Sequence, residues 1–335
     1  VSKSHRFHRE VDGILLFDKP LGLSSNAALQ QVRTLFGARK AGHAGSLDPL
    51  ASGLLPVCFG QATKVCGRLL NAGKTYRVRV ALGARTESGD AETPIVEHAA
   101  IPELTIETVD AALARFMGEQ QQIPPMHSAL KHAGERLYEL ARRGESVERP
   151  ARTIVIHRIQ RIGLTPDTLE FDVYCSKGTY IRTLAADVAR ALGTLGYVES
   201  LRRLSLDPFD GLHMYSLSEL EALSPSERDA VLLGADSAFQ DLPRIELDRA
   251  GEHQLLQGQS LLVPGAPVAD DMRAYGPGKR FLGLVSGAAG GRIRPGRLFV
   301  DPKMPPSPAR GRSDRRGPDS RRRSADSRDR SFQGP

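Results

Sequence analysis

Residues 42–55 read Gly42-His43-Ala44-Gly45-Ser46-Leu47-Asp48-Pro49-Leu50-Ala51-Ser52-Gly53-Leu54-Leu55. Glycines at 42, 45 and 53 bracket a loop, and Pro49 biases Asp48 away from the helical region, turning its side chain out of the bend. An Asp-Pro pair is most often only a turn. Here Leu47, Leu50, Leu54 and Leu55 flank it, and a carboxylate among leucines has its pKa raised by desolvation unless a cation compensates. A carboxylate kept ionised in an apolar pocket is suited to act as a nucleophile.

A cation is available downstream. Ser176-Lys177-Gly178-Thr179-Tyr180-Ile181-Arg182 lies at a strand-to-helix junction, with Arg182 in the first helical turn, where the dipole disfavours positive charge. Arg182 also sits off the apolar stripe Ile181, Leu184, Ala185, Val188 and Leu192. Taken alone it reads as a solvated surface arginine. Placed opposite Asp48, it resolves both anomalies.

Outward from these two segments, the first 240 residues read as mixed α and β. Val11 to Asp18 predicts a strand ended by Lys19-Pro20, and Ser24 or Ser25 caps a helix running to Phe36. Gln61 to Asn71 predicts a helix. Thr75 to Leu82 alternates, with Tyr76, Val78, Val80 and Leu82 on one face and Arg77 and Arg79 on the other. Further helices are predicted over Thr105–Phe116, around Leu137–Arg142 and over Thr179–Leu192, and a strand pair over 152–163 and 168–176. Beyond Asp241-Leu242-Pro243 the chain turns Gly-rich with short apolar runs, which predicts a small all-β module. No repeat at a solenoid period occurs.

Composition narrows the classes. A chain of 335 residues suits two domains. No run of 18 apolar residues is present, so no transmembrane helix is expected. The first ten residues are polar and basic without an apolar leader core, so the expected location is the cytoplasm. Three cysteines, Cys58, Cys66 and Cys175, cannot form a disulfide framework, and no CxxC pair offers a zinc site. The net charge is +7. Residues 303–335 hold ten basic residues against four aspartates, so +6 belongs to a tail too polar to fold and the other 302 residues carry only +1.

Three superficial matches fail. Gly73-Lys74-Thr75 resembles the end of a phosphate loop, but its first glycine is misplaced and a strand pattern follows instead of a helix. His5 and His8 lack a second ligand pair, so no metal is expected. No GxGxxG follows a strand, which leaves a nicotinamide cofactor without support.

The chain resembles the TruB family of tRNA pseudouridine synthases over nearly its whole foldable length. The resemblance is carried by Val11–Pro20 with Gly22-Leu23-Ser24-Ser25, by His43–Leu55, by Gly73-Lys74-Thr75-Tyr76 and by Lys177–Arg182. Ile123-Pro124-Pro125-Met126-His127-Ser128-Ala129-Leu130-Lys131 is similar to the start of the family's RNA-gripping insertion. Ala44, Ser46 and Ser52 depart from the commoner threonine or alanine and leave Asp48 untouched. The implied reaction isomerises uridine 55 in the tRNA T-loop: the N1–C1′ bond breaks, the uracil rotates, and C5 rejoins the sugar. No cofactor or metal is implied.

By the same resemblance Asp48 is the essential carboxylate and Arg182 its salt-bridge partner. Tyr76 stacks on the uracil and handles the C5 proton, and Leu201 walls the flipped base. His43, Lys64 and Tyr180 contact the substrate nucleotide, Lys64 at a phosphate. Taken alone, Tyr76 and Leu201 read as core, and His43 and Lys64 as structural or solvated. Extruding the stacked base costs a few kcal/mol.

The expected fold class is α+β, with a mixed, largely antiparallel sheet. The expected organisation is a flexible basic segment over 1–10, a catalytic domain over 11–242 with an insertion at about 123–150, a PUA-like β-barrel over 243–302 and a disordered Arg-rich tail over 303–335. The insertion bears His127, Lys131, His132, Arg136, Arg142, Arg143 and Arg149, and is expected to clamp the T-arm of tRNA. A monomer with no obligatory protein partner and no membrane association is expected. Two alternatives remain at this point: an RNA-folding or RNA-binding factor in which catalysis is secondary, and a guide-dependent relative acting on ribosomal RNA.

Overall fold

A computed structural model describes residues 9–128 and 130–300. The expectations for residues 1–8 and for the tail at 303–335 lie outside the described residues. Arg9 is not loose: its N–H donates to the Gly37 carbonyl at 3.0 Å and its own carbonyl accepts from Arg39 at 3.1 Å.

The first part of the chain contributes β1 (Gly13–Lys19), α1 (Ser25–Phe36), β2 (Ala41–His43), β3 (Ala51–Phe59), α2 (Cys66–Leu70), β4 (Lys74–Leu82), β5 (Ala84–Thr86) and β6 (Ile95–His98). It continues with α3 (Ile106–Ala114), β7 (Gly118–Gln122), β8 (Lys131–His132), β9 (Glu135–Arg136), α4 (Leu137–Arg142), β10 (Arg152–Leu164), β11 (Thr168–Cys175), α5 (Ile181–Ala191) and β12 (Gly196–Leu206). Two short helices follow, α6 (Leu217–Ala222) and α7 (Pro225–Ala230). An eight-stranded sheet runs β1-β3-β12-β4-β11-β10-β7, with β2 also paired to β3. Only β12 and β3 run parallel, so the sheet is mixed and largely antiparallel, as expected.

Local chemistry accounts for these elements. The Ser24 hydroxyl accepts from Ala27 N at the start of α1, and Gly37 in the left-handed region ends it. Thr105 and Thr108 form a reciprocal cap on α3. On β4 and β11 the alternation places Tyr76, Val78, Val80, Phe171, Val173 and Cys175 in a core beneath α3 and α5. The opposite face is a ladder of charge pairs, Arg77 with Asp172 at 2.9 Å, Arg79 with Glu199 at 2.6 Å and Arg202 with Asp18 at 2.7 Å. This face is polar but electrically balanced.

Strand β3, which pairs with β1, β2 and β12, was hidden by its own sequence. Gly53 and Pro56 both argue against a strand interior. Gly53 has φ +97°, and a Cβ there would lie 2.2 Å from the Arg203 carbonyl oxygen, so only glycine lets β3 lie against β12. Beyond Gly53, β12 no longer pairs with β3, so no acceptor on β12 is left waiting for the N–H that Pro56 lacks. Residues 61–71 also differ from the single helix expected: a 3-10 turn over Gly60–Val65 leads into α2.

The chain then forms β13 (Arg244–Glu246), α8 (Arg249–Leu256), β14 (Leu261–Leu262), β15 (Ala269–Gly276), β16 (Arg280–Ala288) and β17 (Arg292–Leu298). These strands make a five-stranded half-barrel sheet in the order β13-β15-β16-β17-β14. The module is not all-β: Asp248 caps α8 by accepting from Gly251 N at 2.7 Å, and Leu255 enters its core. Phe281, Leu284 and Phe299 pack with Phe239 and with Ile14 and Leu16 of β1, so the half-barrel shares a core with the large sheet.

Candidate active site

The loop between β2 and β3 is held from several directions by elements distant in sequence. Ser25 clamps Leu47 twice, its hydroxyl donating to the Leu47 carbonyl at 3.0 Å and accepting from Leu47 N at 2.7 Å. Gly22 N donates to the Pro49 carbonyl at 2.8 Å, and Leu50 N to Glu92 Oε1 at 2.9 Å. Asp48 itself closes the turn, its carbonyl accepting from Ala51 N at 3.0 Å. The Asp48 side chain therefore projects from a rigid bend.

It projects into a cleft of about 200 Å³ lined by Asp48, Tyr76, Tyr180, Arg182 and Leu201, together with Ser46, Leu47, Ser128, Thr179 and Ile181. Arg182, expected to be solvated if unpaired, is 8 % exposed. Its Nη2 lies 3.2 Å from Asp48 Oδ2 and its Nη1 lies 3.3 Å from Asp90 Oδ2. The remaining donors reach the Ser88 carbonyl at 3.2 Å and the His127 carbonyl at 2.6 Å. One guanidinium thus joins the loop of Asp48, the turn after β5 and the start of the insertion.

Asp90 gave no signal in the sequence. It is almost fully buried, accepts from the Ser88 hydroxyl at 2.5 Å and from Glu92 N at 3.1 Å, and places its other oxygen against Arg182. Two carboxylates offset the unfavourable position of Arg182 at a helix N-terminus. The Asp48 carboxyl is nonetheless raised above its ordinary value: desolvation raises it most, Arg182 and Lys19 oppose that, and Asp90 adds to it.

Tyr76 and Leu201 belong to the core on β4 and β12 and also face the cleft, so the two readings of these residues are compatible. Burial raises the Tyr76 phenol and keeps it neutral near pH 7. Tyr180 is fixed by a two-way bond with Gln122, donating N–H to Oε1 at 2.8 Å and accepting from Nε2 at 3.1 Å, which ties the end of β7 to α5. His43 and Lys64 are not among the residues lining this cleft. His43 ends β2 opposite Val57, with a buried Nδ1 that has no hydrogen-bond partner, and burial and then Arg203 lower its pKa. Lys64 donates to the Leu298 carbonyl at 2.7 Å and lies over the Phe299 ring, against the half-barrel.

Among the described residues no group of His, Cys, Asp or Glu side chains has the arrangement of a metal site. No helix of the described chain is long and apolar enough to cross a membrane.

Three family models match consecutive stretches: "TruB family pseudouridylate synthase (N terminal domain)" over residues 33–181, "tRNA pseudouridylate synthase B C-terminal domain" over 182–240, and "Pseudouridine synthase II TruB, C-terminal" over 243–299. The chain is 48 % identical over 291 residues to tRNA pseudouridine synthase B of Chromohalobacter salexigens, covering 86 % of this chain and 94 % of that one. It is 47 % identical over 303 residues to the protein of the same name from Nitrosococcus oceani, covering 89 % and 98 %. A solved Cbf5-Nop10-Gar1 complex contains a chain of similar fold, with TM-score 0.65, 21 % identity and coverage of 89 % and 92 %.

Proposed function

Since the chain belongs to the TruB family of pseudouridine synthases, we propose that it isomerises uridine 55 in the T-loop of tRNA. The observation that carries this is the Asp48–Arg182 pair, 3.2 Å apart in a cleft walled by Tyr76 and Leu201. Asp48 acts on the flipped nucleotide, either attacking it or removing a ribose proton, and Arg182 holds the carboxylate ionised and aligned. The N1–C1′ bond breaks, the uracil turns between Tyr76 and Leu201, and C5 bonds to C1′. The C5 proton then leaves by way of the Tyr76 hydroxyl, which passes its own proton on as it accepts this one, while N1 acquires a proton, so the product is an isomer of the substrate.

Tyr180 lies beside the incoming nucleotide. His43 fills the space the extruded base leaves, a role that its unpaired buried Nδ1 supports. Lys64 meets a phosphate beside the half-barrel, where one of its three N–H groups already donates to the Leu298 carbonyl. Residues 11–242 form the catalytic unit, 123–150 grip the T-arm, 243–302 are the PUA-like module, and the enzyme works in the cytoplasm as a monomer without an obligatory partner. The relatives at 47–48 % identity are all named tRNA pseudouridine synthase B, whereas the Cbf5 likeness is one of fold, so the guide-dependent alternative gains no support.

The test is chemical mapping of pseudouridine after incubation with an unmodified tRNA transcript. A carbodiimide-dependent stop at position 55 alone, lost when that uridine is changed to cytidine, is expected. No stop, or stops elsewhere, contradicts the assignment.

A further inference from the structure

Arg203 is the largest side chain among the described residues that is withdrawn entirely from solvent, and no step above uses it. A guanidinium out of water is strongly unfavourable unless it is paired. Among the described residues no carboxylate forms an ion pair with Arg203; its hydrogen-bond acceptors are backbone carbonyls, and its charged neighbours, Lys74 and Lys19, are of like sign. Nε donates to the Leu54 carbonyl at 2.6 Å and Nη2 donates to the Gly45 carbonyl at 2.9 Å. The two carbonyls stand on either side of Asp48. In the sheet, Arg203 is opposite Tyr76 on one edge and opposite Gly53 on the other, two residues after Leu201.

We propose that Arg203 is the positioning residue of this site, locking the two flanks of the Asp48 loop to the strand that carries Tyr76 and orienting the phenol toward C5 of the bound uracil. The inference rests on the isomerase reading above. Its charge acts in the same sense: burial pushes the Tyr76 phenol up, and Arg203 is the largest influence opposing that shift. A lysine keeps the charge but has a single nitrogen, which cannot reach the Leu54 and Gly45 carbonyls with the planar fork of a guanidinium.

The experiment compares the full chain with Arg203→Lys and Arg203→Met in single turnover on tRNA transcripts carrying protium or deuterium at C5 of the target uridine. Both variants are expected to bind tRNA within threefold of the native protein. Rates should fall at least tenfold for the lysine variant and thirtyfold for the methionine variant. The C5 isotope effect should at least double, because removal of the C5 proton becomes slower than the bond exchange. A folded Arg203→Lys variant with a rate within threefold of native overturns the proposal, as does a slow variant with an unchanged isotope effect. If Arg203→Met does not fold, the lysine variant decides; if neither folds, Arg203 serves stability alone and the proposal fails. A native protein that converts no uridine refutes instead the reading on which this rests.

Discussion

Residues 44–55 and residues 123–150 both lie at the candidate cleft, and they are built in opposite ways. The first is fastened by hydrogen bonds from Ser25, Gly22 and Arg203. The second consists of two-residue strands and a short helix, anchored by Leu137 and Leu140, with its charges paired among themselves, Arg143 to Glu135 at 2.6 Å and to Glu145 at 2.7 Å. Its main tie to the cleft is the His127 carbonyl on Arg182. Chemistry needs a carboxylate fixed before the substrate arrives, whereas gripping a folded RNA needs charges free to exchange partners. Substitutions in the loop should therefore reduce turnover, and substitutions in the insertion should reduce affinity.

The largest effect falls on the loop. Asp48→Asn should lower the single-turnover rate by about 10⁴-fold or more while tRNA binding stays within threefold; a variant keeping a hundredth of the native rate breaks the contrast. Arg182→Gln comes next, at roughly 10²- to 10³-fold, since it leaves Asp48 and buried Asp90 facing each other without the guanidinium between them. The sign of its pH dependence follows: Arg182 lowers a carboxyl that burial has raised, so the acid limb of kcat/KM should move to higher pH in the variant. A limb that stays in place or moves down shows that Asp48 does not report it.

Ser25→Ala removes both bonds to Leu47 and leaves two buried backbone groups unmatched. A loss of about 1–3 kcal/mol in unfolding free energy is expected, with a rate lower by about tenfold, read by urea denaturation and single turnover. Arg136→Ala combined with Arg142→Ala should act on the other side of the comparison. Both residues are exposed beside the Tyr138 ring. KM for tRNA should rise about three- to tenfold with kcat unchanged, and the salt slope of binding should fall by about one to two. A kcat effect larger than the KM effect merges the two regions into one machine.

The smallest effect is on pH and stability. Lys19 and Lys74, both buried, have pKa values lowered by burial to about 8. The unfolded chain holds those protons up to an ordinary lysine value of roughly 10.4. Between those limits the unfolded state binds more protons, so stability should rise with pH between about 7.5 and 9.5. Lys74→Met should flatten this rise in the urea midpoint, and a midpoint that falls over the interval contradicts the buried amines.

Much of the fold was written in local patterns. The alternation on β4 and β11 and the caps of α1 and α3 each depend on residues within a few positions. Strand β3 was not legible, because Gly53 and Pro56 are tolerated only through how β12 approaches and leaves it. Helix α8 was hidden within a Gly-rich stretch. At the site, Asp48 and Arg182 each stood out as a local anomaly, and their pairing came from the resemblance. Asp90, Ser25 and Arg203 gave no such sign, since the contacts that bring them to the site, with Arg182, Leu47 and Gly45, lie 22 to 158 residues away and only folding makes them. Lys64 is a phosphate ligand only by the resemblance, and in the structure its amine donates to the Leu298 carbonyl of the half-barrel.

The direct measurement is release of tritium from C5-labelled uridine in an unmodified tRNA transcript by the native protein, with no cofactor or metal added. An isomerase built on Asp48 should release one tritium for each tRNA converted, in step with pseudouridine formed at position 55. Absence of release, or release without pseudouridine, would contradict the account.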